Sequence, residues 1–161
     1  MKTQQLQIRV SPHQKAALRR LAAAADLDVS AYVLSRALPP ATDRFAGVLE
    51  ALHESEEPSY ALAELSDLLA GWGAGEFVEG TGRADTGGLS PLVGNYVAAM
   101  VEQAAHLKGV TVPPWTRQVA PLERPWFATS MRAVRLHLLG AAPVPYKRRN
   151  LFVDAGIGAR V

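Results

Sequence analysis

Polar and apolar residues alternate over Gln5-Leu6-Gln7-Ile8-Arg9-Val10, the period-2 pattern of a half-buried strand. Leu6, Ile8 and Val10 share one face, and Gln5, Gln7 and Arg9 share the other. Ser11-Pro12 follows, a capping hydroxyl and then proline at the first helical position, so a helix starts at once. Ala17, Leu18, Leu21, Ala22 and Ala25 recur at spacings of three and four, with Lys15, Arg19 and Arg20 mainly opposite, which predicts a helix over residues 12–25. Asp26-Leu27-Asp28 breaks the pattern, and Asp28 is placed to cap a second helix that carries Val29, Tyr32, Val33, Arg36 and Ala37 before Pro39-Pro40 stops it. Strand, helix, turn and helix thus fit within residues 1–40.

Beyond Pro40 the spacing predicts helices over residues 42–53, with Phe45, Val48, Leu49 and Leu52 in a stripe, and over 59–70, with Leu62, Leu65, Leu68 and Leu69. An acidic turn containing Glu54, Glu56, Glu57 and Pro58 separates them. Seven glycines fall in residues 71–88, which reads as an irregular glycine-rich loop with room for a short strand at Glu76-Phe77-Val78-Glu79. Ser90-Pro91 opens a long helix that ends before Gly109, its apolar face made of Leu92, Val93, Tyr96, Val97, Met100, Val101 and Ala104. Pro113-Pro114-Trp115 and residues 121–125 read as ordered loop, residues 129–139 as a helix, and residues 150–154 as a short strand or extended tail. The fold class expected is mainly α: a strand and two helices at the N-terminus, and a mostly helical domain over residues 41–161 with minor short strands.

Composition narrows the function. With 161 residues, 48% hydrophobic and 20% charged, the chain has the makings of an ordinary folded protein. It has no run of eighteen apolar residues and no leader pattern, so the expectation is no membrane and a cytoplasmic location. The absence of cysteine removes disulfides, thiolate metal sites and cysteine nucleophiles. The net charge of +2 conceals segregation, at +4 over residues 1–40, −8 over 41–89 and +6 over 90–161. A basic N-terminus faces polyanions well, and the acidic middle is either repelled from phosphate or simply the wet face of surface helices. His13, His53, His106 and His137 are scattered without metal-ligand spacing, the glycine-rich stretch is followed by no Gly-Lys-Ser/Thr, and no Gly-x-Ser-x-Gly occurs. Catalytic residues, cofactors and metals are therefore not expected, although missing motifs leave a small enzyme of unrecognised type as a residual reading.

The first forty residues, by their polar-alternating strand, Ser11-Pro12 cap, helix, short turn and second helix, resemble the ribbon-helix-helix family of DNA-binding repressors and antitoxins. A lone strand is unstable, and the resemblance implies that it pairs antiparallel with its copy in a homodimer. The resulting two-stranded ribbon fits the major groove of double-stranded DNA. Gln5, Gln7 and Arg9 then reach base edges, glutamine matching adenine and arginine matching guanine. The resemblance also implies backbone contacts to phosphate from the start of the second helix at Val29 and Ser30, with Lys2 and Lys15 nearby. Asp26 and Asp28 depart from the family pattern, which favours glycine at the turn and Ser, Thr or Asn at the cap, and they put negative charge where a phosphate is expected. The same alternation also suits an ordinary edge strand with a wet polar face.

The C-terminal half is similar to the C-terminal region of bacterial antitoxin-type regulators, some paired with nucleotidyltransferase-like toxins. The likeness rests on Val112-Pro113-Pro114-Trp115-Thr116, Pro125-Trp126-Phe127, Arg132-Ala133, Leu138-Leu139 and residues 146–154. It implies binding of a cognate toxin rather than chemistry. Trp115, Trp126, Phe127, Arg148, Arg149 and Phe152 are the candidate partner-binding residues. The same aromatics also suit the core of a small domain, and Lys147-Arg148-Arg149 a solvated basic turn. The function expected is a dimeric, sequence-specific DNA-binding regulator, the autorepressing antitoxin of a toxin-antitoxin pair. A protein-interaction and dimerisation module without specific DNA binding is the alternative.

Overall fold

The computed structural model describes residues 7–37 and 40–154. The chain divides after Pro40 into two compact units, each with its own logic.

The first unit is a helix pair, α1 (Pro12–Ala24) and α2 (Val29–Ala37). α1 begins in a capping box: the Gln14 amide donates to Ser11 Oγ at 3.2 Å, and the Ser11 amide donates to Gln14 Oε1 at 2.8 Å. It ends in a Schellman turn. The Leu27 amide donates to Ala22 O at 3.0 Å and the Asp26 amide to Ala23 O at 3.2 Å. Asp26 takes the left-handed conformation there, at φ 53°, a place that glycine usually fills. Asp28 caps α2, its Oδ1 accepting from the Ala31 amide at 2.9 Å. Residues 7–10 lie in no strand, whereas the alternation predicts one over 5–10. The physical reason is that a strand needs a second strand to receive its amides and carbonyls, and none of the described residues supplies one. Gln5 and Leu6 lie outside the described residues.

The second unit is built around α6 (Pro91–Lys108), whose Val97, Ala98, Ala99, Val101, Ala104 and Ala105 are fully buried. Ser90 caps its start and Gly109, at φ 66°, closes its end, the start and stop signals that the sequence carries. Against it pack α4 (Ser59–Gly71), α5 (Ala74–Thr81), a 3₁₀ turn (Pro114–Gln118) and α8 (Val144–Lys147), and α3 (Ala41–Glu54) packs on α4 and α5. α7 (Arg132–Ala141) is amphipathic and buries Leu138. Two strands, β1 (Trp126–Phe127) and β2 (Leu151–Phe152), pair in parallel with Trp126 opposite Leu151.

The glycine-rich segment is where expectation and structure part. Residues 74–81 form α5 rather than loop or strand, with Glu76 reaching back to the Gly73 amide. The cause is tertiary: Phe77 faces the core and is fully buried, and burial of a phenyl ring outweighs the cost of helical glycines. Gly80 is needed on that helix, because a Cβ there would lie 2.5 Å from the Trp72 ring.

Burial also leaves a mark in alkali. Tyr96 and Tyr146 meet edge to face at 6.2 Å between ring centres. Burial pushes the Tyr96 phenol up to about 12 from 10.0, and burial, then the neighbouring Tyr96, pushes Tyr146 higher still. The unfolded chain releases these protons near pH 10, whereas the folded chain holds them. Stability therefore does not depend on these groups below pH 10 and falls as pH rises from 10 toward 12. The fully buried Tyr146 contributes a slope of about 1.4 kcal/mol per pH unit. Urea unfolding of Tyr146→Phe should lose that component of the decline, and an unchanged slope would contradict the assignment.

Candidate nucleic-acid interface and partner surface

In the first unit, Gln7 and Arg9 stand exposed on an extended segment immediately before the Ser11 cap. The capping box fixes where that segment ends and α1 begins. Lys15 is exposed on the first turn of α1. Lys2 and Gln5 lie outside the described residues, so the structure places three of the seven candidate DNA-contacting residues only at the start of α2 or on α1, and two on the segment itself. Val29 and Ser30 occupy the first two positions of α2, where a helix leaves amides without intrahelical acceptors. The Asp28 carboxylate holds the neighbouring Ala31 amide, so the amides at the start of α2 lie beside a carboxylate.

The same unit buries only Ala22 and Tyr32 among its described hydrophobic residues. Ile8 is 62% exposed and Val10 41%, and Leu21, Leu27, Val29 and Leu34 are exposed as well. Two helices with this much uncovered apolar surface do not make a self-sufficient core.

In the second unit, the candidate partner residues separate into two groups. Trp115 turns inward: it is buried beside Phe45, and its indole N–H donates to Thr81 O at 2.8 Å. Arg149 also turns inward, 5% exposed, which corrects the expectation that it lies on a partner surface. Its Nη2 donates to Glu102 and, at 2.7 Å, to Thr116 O, and its Nη1 donates to Val119 O at 3.1 Å and Asn95 Oδ1 at 3.4 Å. Asn95 in turn donates to Pro91 O and Ala120 O, so one buried cluster holds the loop at 116–120 against α6. A buried guanidinium demands such partners, since an unpaired one is costly.

The second group stays within reach of solvent. Trp126 is half-buried, its ring edge to face with Tyr96 at 5.6 Å. Phe127 and Phe152, also half-buried, stack at 4.9 Å, and the Arg135 guanidinium lies 5.3 Å from the Phe127 ring centre. Arg148 is exposed. Leu136, Leu139 and Met131 add exposed apolar surface on and before α7. Glu102 and Asn95 escaped sequence reasoning, because nothing in their spacing links them to Arg149. Their only signal was a carboxylate and an amide interrupting the apolar run of α6.

Among the described residues, no three His, Asp or Glu side chains are grouped to hold a metal ion, and no helix is long and apolar enough to cross a membrane. Residues 5–46 match the model of the Antitoxin TacA 1-like family, a similarity to an antitoxin family that covers the first unit and the start of α3. No curated protein and no solved structure matches the chain.

Proposed function

We propose that the chain is the DNA-binding antitoxin of a toxin-antitoxin pair, acting as a dimeric ribbon-helix-helix repressor of its own promoter. The observation that carries this reading is the antitoxin-family match over residues 5–46, the stretch that holds the alternating segment, the Ser11 cap and the two helices. The uncovered Ile8, Val10, Leu21 and Leu34 support a second copy as the missing half of the core. In the dimer, residues 5–10 of two chains pair as an antiparallel ribbon, and Gln5, Gln7 and Arg9 enter the major groove. Lys2, Lys15 and the amides of Val29 and Ser30 hold the flanking phosphates. The second unit binds the toxin through its half-exposed aromatic edge at Trp126, Phe127 and Phe152, with Arg148 beside it.

Arg9→Ala is the test of the ribbon. Its expected effect is a loss of about 1 to 3 kcal/mol in binding to the promoter duplex and a blurred preference over other sequences, with the dimer intact by sedimentation. Unchanged binding contradicts the ribbon assignment. One observation favours a second reading, in which the strand only joins two copies: the Asp28 carboxylate sits at the α2 start where a phosphate would dock. That reading requires DNA affinity to stay in the non-specific range, roughly 10⁻⁴ to 10⁻⁶ M at physiological salt.

A further inference from the structure

A cavity of about 360 Å³ in the second unit is lined by Glu102 and His106 of α6, Val112, Arg117, Val119 and Pro121 of the following loop, and Arg148 and Arg149. Its wall carries three arginines against one carboxylate. That carboxylate is already engaged, because Glu102 accepts from Arg149 Nη2. Arg149 is 5% exposed, and among the described residues nothing accepts from its buried Nε–H. Four of its five N–H donors are engaged, which holds the guanidinium in place as part of the wall. Arg117 and Arg148 are exposed, so their charges are free to turn toward a ligand. The remaining wall, Val112, Val119 and Pro121, is apolar.

We infer that this cavity binds a small phosphomonoester, its phosphate held by Arg117 and Arg148 and its organic part lying on Val112, Val119 and Pro121. Arginine forks match the geometry of phosphate oxygens, and phosphate supplies several acceptors to converging donors. The volume falls at the lower end of the range for small-molecule sites, about 300 to 1,000 Å³, and exceeds what a bare oxyanion fills. The network that holds Arg149 also holds the Thr116 and Val119 carbonyls, so the cavity wall is fixed before the ligand arrives.

The test is calorimetric titration of the full chain with adenosine monophosphate, adenosine and inorganic phosphate, at ionic strength matched with chloride. The expected result is saturable 1:1 binding of the monophosphate, weaker binding of inorganic phosphate and none of adenosine. Arg117→Ala and Arg148→Ala, both at exposed positions and therefore expected to fold, should each weaken the monophosphate by about tenfold. Arg124→Ala, an exposed arginine outside the cavity, should leave it unchanged. Binding of adenosine as tight as the monophosphate, equal affinity in the Arg117 and Arg148 variants, or no saturable binding of any phosphate would each overturn the assignment. None of these outcomes bears on DNA recognition by the first unit.

Discussion

Replacing Arg149 with alanine is expected to lower the unfolding free energy of the second unit by about 3 to 5 kcal/mol. The guanidinium closes a cluster whose other members are the Thr116 and Val119 carbonyls, Asn95 Oδ1 and the Glu102 carboxylate. The Glu102 side chain is 13% exposed, so without its partner a negative charge is left in a largely dry site. A loss of this size is a large share of the stability of an ordinary domain, about 5 to 15 kcal/mol. Arg149→Lys should fall between, because an ammonium keeps the charge but cannot span four acceptors. Adding Glu102→Gln to Arg149→Ala should restore part of the loss, because it removes the stranded charge. Urea unfolding followed by circular dichroism checks all three. A loss under about 1 kcal/mol for Arg149→Ala would mean that the cluster is not closed as described.

Phe77→Ala is expected to cost a similar amount, about 3 to 5 kcal/mol. The ring is fully buried on α5, a helix with glycine at positions 75 and 80 and therefore little helix-forming strength of its own. What holds the segment helical is its packing against α3 and α6, and Phe77 is its one large buried side chain. The variant should lose helix signal as well as stability, since Phe77 is the large side chain that ties α5 to the core. A small loss with unchanged helix content would place the anchor of α5 elsewhere, in the Trp115 indole bond to Thr81 O for example.

These two residues also show where the sequence stopped being legible. The helices that open with Ser-Pro, α1 and α6, could be read to within a residue or two, because cap and proline are local signals. The same holds for α2, whose Asp28 cap is visible in the sequence and in the structure. α5 was hidden because its glycines speak locally for a loop, whereas the burial of Phe77 is decided by distant residues. The short strand read over residues 150–154 holds β2, whereas α8 and β1 are not read, because elements of two to four residues carry no period and Trp126 meets Leu151 only through the fold. The Arg149 cluster joins Asn95, Glu102, Thr116 and Val119, none close to it in the chain. A basic triplet at 147–149 reads as one surface feature, yet Arg149 is buried while Arg148 beside it is exposed. In the first unit the alternation of residues 5–10 is plain, but its structural consequence depends on a second strand, which the described residues do not supply.

The most direct measurement is fluorescence anisotropy of the full chain with a duplex from its own upstream region and a scrambled duplex of equal length, at two salt concentrations. A specific repressor prefers the upstream duplex by about a thousandfold or more, and the preference persists at the higher salt while both affinities fall. Equal, salt-sensitive binding to the two duplexes, or none to either, contradicts a regulator that reads sequence.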